Sequence, residues 1–245
     1  MMKAPTACST LLCGSPGLCN IFYKIIFIYM RQILITFLIG FTVLQIAAAQ
    51  TDDNRTVTTK IADLLAKTPA DDADQLNANA KAVAQLGEAG LAALVTRLNT
   101  PGDHTKLHYA INGFSFSASQ PGKEGWREMA VKAYGQALQK LTDKESQLFI
   151  ITQLEHVGKD DAVAYLEGYL HDERLSDAAS RALAAIHTEA AGNALLQALP
   201  GAAGNVRLSL VQALGDSRFS AAVPALTAFA KSNDPNLTKV TLYAL

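Results

Sequence analysis

Apolar residues recur along the second half of the chain at one long period. A series of four leucines is separated by 29, 31 and 31 residues, and two further apolar series keep nearly the same step. The three series are Leu154, Leu183, Leu214 and Leu245, then Leu166, Leu195 and Leu226, then Leu175, Val206 and Leu237. A helical pattern that repeats at about 20–50 residues predicts stacked repeats sharing a continuous core.

Each repeat carries two helical patterns. In 221–231 the apolar residues are three and four positions apart, which predicts one buried stripe on a helix. Pro224 lies near the start of this helix, where a missing N–H costs least. Asp234 is predicted as the N-cap of the next helix, with Pro235 at its first position.

Weaker versions of the same pattern extend towards the N-terminus. Residues 82–98 are helical on both sides of a break at Gly87, and further helices are predicted after Pro101 and after Pro121. Thr142 followed by Glu145 predicts a capping box that opens another helix. No segment alternates as a strand does, so we predict an all-α fold of about eleven or twelve helices.

The C-terminal repeats resemble HEAT repeats. Residues 220–226 (SAAVPAL) resemble the first helix of such a repeat, and 234–245 (DPNLTKVTLYAL) resemble the second. The resemblance covers roughly 75–245 and implies an α-α superhelix, a solenoid of stacked antiparallel helix pairs. It also implies a scaffold that binds other molecules rather than an enzyme.

The wider arrangement is similar to the N-terminal helical region of secreted bacterial proteins that carry a 3-keto-disaccharide hydrolase-like domain. That likeness implies an alternative function, as the accessory region of a larger secreted saccharide-acting enzyme. The chain also stops within an apolar stripe at Leu245, whereas terminal repeats normally have a polar outer face. We therefore expect truncation, with a further domain after Leu245; a partner covering that end is the alternative.

The first 49 residues differ in composition from the rest. They contain all three cysteines and no acidic residue. Met30-Arg31-Gln32, the apolar run 33–44 and the small residues 47–49 have the order of a cleavable signal peptide.

We expect residues 1–29 to be a mis-annotated extension, 30–49 a signal peptide and 50–245 the helical domain. The protein would then be exported, to the periplasm or the cell surface, with no membrane attachment after cleavage. A retained membrane anchor is the alternative, although Lys24 and Arg31 would be costly within it.

Charge argues against nucleic acid as a partner. Of the 21 basic residues, three precede Gln50, whereas all 22 acidic residues follow it. The helical part is therefore acidic, with no long run of either sign. Nucleic-acid binding needs a concentrated basic face, so the expected partner is a protein or a carbohydrate.

Few residues suggest catalysis or a cofactor. His104 and His108 are four residues apart and are the only candidate metal ligands, but Thr105 occupies the place of the glutamate that a zinc protease needs. Asp160 and Asp161 follow a helix start, where acidic residues are ordinary caps. We predict no enzyme activity, no cofactor and no metal site.

Aromatic residues cluster between residues 109 and 134. Aromatic rings at helical spacing usually fill a core, although exposed rings can stack on sugars. We favour packing in the core for this set, with carbohydrate contact as the alternative. Its members are Tyr109, Phe114, Phe116, Trp126 and Tyr134.

The HEAT resemblance also implies a binding face. In such repeats the second helices line the concave side, so their exposed positions are candidate contacts for a protein or glycan. Arg and Tyr among them are common anchors of interfaces. The candidate residues are Asp177, Arg181, Leu208, Gln212, Lys239 and Tyr243.

Overall fold

Eleven α-helices account for most of residues 55–245 in the computed structural model, which describes this range together with Met30 and Gln32. The described residues contain no β-strand, so the predicted all-α class is confirmed for them. The helices are α1 (Val57–Ala66), α2 (Ala73–Thr96), α3 (Thr105–Ala118), α4 (Glu124–Leu138), α5 (Lys144–Val157), α6 (Asp160–Leu166), α7 (Ser176–Ile186), α8 (Glu189–Ala198), α9 (Gly204–Asp216), α10 (Val223–Phe229) and α11 (Pro235–Ala244).

The predicted extension 1–29 and the predicted signal peptide 30–49 lie outside the described residues, apart from Met30 and Gln32. Residues 55–245 form one compact unit. Within the described part of the chain, every helix is too short or too polar to cross a membrane.

Short polar side chains begin several of the helices. Asp234 caps α11 by accepting hydrogen bonds from the backbone N–H groups of Asn236 and Leu237, and Pro235 follows it, as predicted.

The prediction of a capping box at Thr142 is wrong. The Asp143 carboxylate caps α5 by accepting from the N–H of Ser146 at 2.8 Å. The Thr142 N–H donates instead to the side chain of Asn99, in the turn after α2.

Gly87 bends α2 where the sequence predicts a break. Its φ of 70° lies in the left-handed region, which glycine adopts without a steric cost. The two arms of α2 therefore point in different directions. Helices α1, α3 and α4 all pack on α2, so this bend sets the geometry at the N-terminal end of the described unit.

Ten of the eleven described helices form two rows of successive contacts, and α10 packs on α11. The odd row contains α1, α3, α5, α7, α9 and α11, and each of these helices packs against the next in the row. The even row contains α2, α4, α6 and α8, packed in the same way. All extensive contacts among the described helices join elements one or two apart in chain order. Contacts are therefore local along the chain throughout the unit.

The buried core follows the apolar series of the sequence. Leu154, Leu183 and Leu214 are almost fully buried on α5, α7 and α9. The series that begins at Leu166 is buried on α6, α8 and α10, and the one that begins at Leu175 is buried at the start of α7 and on α9 and α11. Leu245, the last member of the first series, is 53% exposed.

Candidate functional site

A groove of about 570 Å³ lies between the turn after α1, the start of α2 and one face of α3. One wall is the turn between α1 and α2, residues 68–72, with the first turns of α2. The other wall is one face of α3. Clefts of roughly 300–1,000 Å³ with mostly apolar walls and a few polar groups are typical of small-molecule sites.

Hydrogen bonds hold the turn that forms the first wall. The Thr68 hydroxyl donates to the Leu64 carbonyl at 2.9 Å, which ties the turn to α1. The side-chain amides of Gln75 and Asn79 both donate to the Lys67 carbonyl, at 3.2 and 3.0 Å. These bonds connect the turn to both flanking helices, so the wall is held in position without a ligand.

Close packing of α3 against α2 forms the floor. Gly113 faces Leu76, and a Cβ at Gly113 would come within 2.9 Å of the Leu76 side chain. The absence of that Cβ therefore lets the two helices approach closely. Phe114, which is fully buried, lies beneath the groove.

The aromatic set splits between core and surface. Phe114 and Tyr134 are fully buried, which confirms the predicted core role for these two. Burial raises the pKa of the Tyr134 phenol, and its hydroxyl lies 2.8 Å from the Ser115 hydroxyl. Trp126 is half-buried and stacks on Phe114, with the ring centroids 5.9 Å apart, and the Lys123 ammonium lies over its ring.

Tyr109 and Phe116 do not belong to the core, and that part of the core prediction is wrong. Their side chains are 55% and 59% exposed, and both line the groove. They lie seven residues apart on one face of α3, about 10 Å along the helix axis. Asn112, between them, is also exposed. The face therefore presents two open aromatic rings separated by an amide.

The charged side chains that line the groove are both acidic. They are Asp71, which is exposed, and Asp72, whose carboxylate caps α2 by accepting from the Gln75 N–H at 2.7 Å. No Lys, Arg or His is among the described residues that line it. An anionic ligand would find no counter-charge here.

The predicted binding residues all lie on the odd row. Asp177 and Arg181 are brought together on α7, with 3.4 Å between the guanidinium and the carboxylate. Arg181 also pairs with Glu155 of α5 at 3.2 Å, and the Ser209 hydroxyl of α9 donates to Asp177. These pairs link three neighbouring helices of the row. They also mean that Asp177 and Arg181 already have intramolecular partners.

The other predicted residues lie further along the row. Leu208 and Gln212 are on α9, where Leu208 is partly buried against the core and Gln212 is exposed. Lys239 and Tyr243 together line a shallow surface groove on α11. Tyr243 is 82% exposed, the highest value among the large apolar side chains of the described unit.

His104 and His108 come close without forming a ligand set. Their ring centroids are 6.2 Å apart, and the His104 ring bonds to the Thr100 carbonyl at 2.7 Å. His108 stacks on Phe149 of α5, with the centroids 4.1 Å apart. Among the described residues, no group of three or more His, Cys, Asp or Glu side chains is placed to hold a metal ion.

The sequence pattern does not by itself reveal the groove, but the apolar stripe of α3 indicates that Tyr109 and Phe116 are exposed. The buried stripe of α3 consists of Leu107, Ala110, Ile111, Phe114 and Ala118. That stripe already completes one face of a helix, so Tyr109 and Phe116 must point away from it. The contribution of 68–72 could not be inferred, because it depends on how the turn folds back towards α3.

Neither a protein-family model nor a curated protein matches this chain.

Proposed function

We propose that this protein is an exported, non-catalytic scaffold whose helix pairs stack as a HEAT-like α-solenoid. The observation that supports this proposal is the packing order, in which the extensive helix contacts join near neighbours along the chain in two series. Repeat scaffolds are built in this way, and their extended rows of equivalent helices serve as binding surfaces.

The proposed binding face is the exposed side of the odd row from α7 to α11, and the proposed partner is a protein. Ion pairs within the row engage Asp177 and Arg181. Gln212, Lys239 and Tyr243 are exposed and so available to a partner. Tyrosine at the centre of a protein interface is a common source of binding energy, so Tyr243 is the proposed anchor.

Site-specific photo-cross-linking in the native cells tests this proposal. A photoreactive amino acid replaces Tyr243 or Gln212 on the proposed face, and in a matched control it replaces Gln197, which is exposed on α8 of the even row. We expect a discrete cross-linked protein from the two odd-row positions and none from Gln197. Lys239→Glu, introduced with the probe at Gln212, should reduce the yield of that adduct.

Two results would contradict the proposal. One is the same set of adducts from both faces, which would indicate non-specific contact. The other is the absence of any adduct from the odd row, provided that the probe reacts when the purified protein is cross-linked to itself at high concentration.

A further inference from the structure

The groove between α2 and α3 has a composition that the proposed scaffold does not explain. Repeat packing requires a buried stripe on α3, which Phe114 and its neighbours supply. It does not require Tyr109 and Phe116, which are each more than half exposed and lie together on the opposite face of α3. Two large rings that stay exposed beside a pre-formed cleft do not contribute the favourable free energy of burying apolar area.

We propose that this groove binds a neutral oligosaccharide, with Tyr109 and Phe116 as stacking platforms for two sugar rings. Sugar rings present apolar C–H faces that pack on aromatic rings, and hydroxyls at their edges that need hydrogen-bond partners. The exposed Asn112 amide and Asp71 carboxylate lie along the same groove. They offer both donors and acceptors to those hydroxyls.

Electrostatics separates this ligand class from phosphorylated or nucleic-acid ligands. The groove is lined by Asp71 and Asp72, and the described lining residues include no basic side chain. Single-stranded nucleic acids also stack on aromatic rings, but they need a positively charged groove. A neutral ligand avoids repulsion from the two carboxylates.

The spacing of the two rings argues against a small organic cation as the ligand of the groove. Aromatic recognition of an ammonium group places the cation within about 6 Å of each ring centroid. Tyr109 and Phe116 are attached to α3 about 10 Å apart along its axis, with Asn112 between them. That spacing suits a ligand with several rings in succession better than a single charged centre.

The walls of the groove argue against an extended peptide as its ligand. Peptides that bind as strands pair with unsatisfied N–H and C=O groups at a sheet edge. The walls here are a face of α3 and the turn 68–72 with the start of α2, so no sheet edge among the described residues borders the groove. The rings and polar side chains of this groove therefore carry the recognition.

The test measures oligosaccharide binding to the full-length exported protein. The probes are uncharged hexamers of glucose with α-1,4 and with β-1,4 linkage, of xylose and of N-acetylglucosamine. Calorimetry gives the affinity. The fluorescence of Trp126, the only tryptophan, reports on the site because this residue stacks on the groove floor. We expect at least one hexamer to bind with a Kd below about 1 mM, and failure of every hexamer would overturn the proposal.

Variants locate the binding. Tyr109→Ala and Phe116→Ala should each weaken it about tenfold or more. Phe116→Leu should weaken it similarly, because leucine keeps apolar area but removes the flat ring. Val223→Ala truncates an exposed apolar side chain on α10, outside the groove, and is the control, for which we expect an unchanged Kd. Both α3 positions are exposed, so these variants should keep the circular dichroism spectrum of the parent.

Three outcomes would overturn the proposal even if a hexamer binds. Affinity that survives both Phe116→Leu and Tyr109→Leu would indicate a general apolar site for a protein segment. Affinity that falls with Val223→Ala would place the ligand elsewhere. Affinity that falls steeply with added salt would indicate a charged ligand site, since binding of a neutral sugar is not screened. None of these outcomes depends on the scaffold proposal, which concerns the odd row from α7 to α11.

Discussion

His108 shows how burial changes the chemistry of one side chain. Its ring packs on Phe149 between α3 and α5, and this burial lowers the pKa of the imidazole below its ordinary value of 6.5. The neighbouring His104 lowers it further, whereas Asp103 acts in the opposite direction. The folded state therefore favours the neutral ring.

This shift predicts a stability that depends on pH. Because the folded pKa lies below the unfolded one, the contribution of His108 is complete above about pH 6.5 and is lost as the pH falls through the folded pKa. His108→Phe keeps a ring against Phe149 but cannot titrate. We expect urea unfolding to show a smaller loss of stability for His108→Phe than for the parent between about pH 7.5 and pH 5. Parallel pH profiles for the two proteins would contradict this prediction.

The aromatic set shows what residue-level prediction could and could not achieve. Core positions follow from helical period, and Phe114 and Tyr134 are buried as expected. Aromatic type and helical spacing predict a core position for Tyr109 and Phe116 as well, but the apolar stripe of α3 places both of them on the opposite side of the helix. Period is the better guide, because it reports the direction of a side chain and residue type does not.

At the scale of elements, helix boundaries were predicted best where a side chain caps the first turn or a special backbone conformation breaks the helix. Asp234 and Gly87 are such positions. The error at Thr142 arose because two adjacent residues, Thr142 and Asp143, can both cap a helix. Tertiary contact decided between them, since Thr142 bonds to Asn99, and that contact between distant segments is not visible in the local sequence.

Gly135 on α4 illustrates an element-level contact that the sequence did not reveal. A Cβ there would overlap the ring of Tyr165 on α6, far inside the 3.0 Å that real contacts respect. The Tyr165 ring therefore packs directly on the α4 backbone. Gly192 on α8 accepts the ring of Phe219 in the same way, so aromatic rings on glycines recur along the even side.

We predict opposite effects for two glycine-to-alanine changes within α4. Gly135→Ala must displace Tyr165 and should destabilise the protein by about 1–3 kcal/mol. Gly125→Ala is the matched control, because nothing lies within 4 Å of the added methyl group. It should stabilise by about 0.5 kcal/mol through helix propensity. Urea unfolding of both variants measures the difference, and effects of the same sign would contradict the packing described here.

At the scale of the whole unit, the sequence predicted the all-α class because apolar period is a local signal. The buried series of Leu154, Leu166 and Leu175 also follows from that period. The groove could not be predicted as a site, since it depends on the relative placement of α2, α3 and the turn 68–72. Only the folded chain brings Asp71 and Tyr109 to the same cleft.

The proposed solenoid implies a linear stack in which each helix pair depends mainly on its neighbours. Hydrogen exchange followed by mass spectrometry tests it most directly, on Leu237→Ala, which opens a cavity beneath α11. Leu242→Ala is the matched control, because Leu242 is 62% exposed on the same helix. We expect faster exchange in α10 and α11, a smaller effect in α9 and unchanged exchange from α2 to α5, with Leu242→Ala behaving as the parent. Faster exchange spread evenly over all the helices would show one cooperative globular core and would rule out the proposed solenoid.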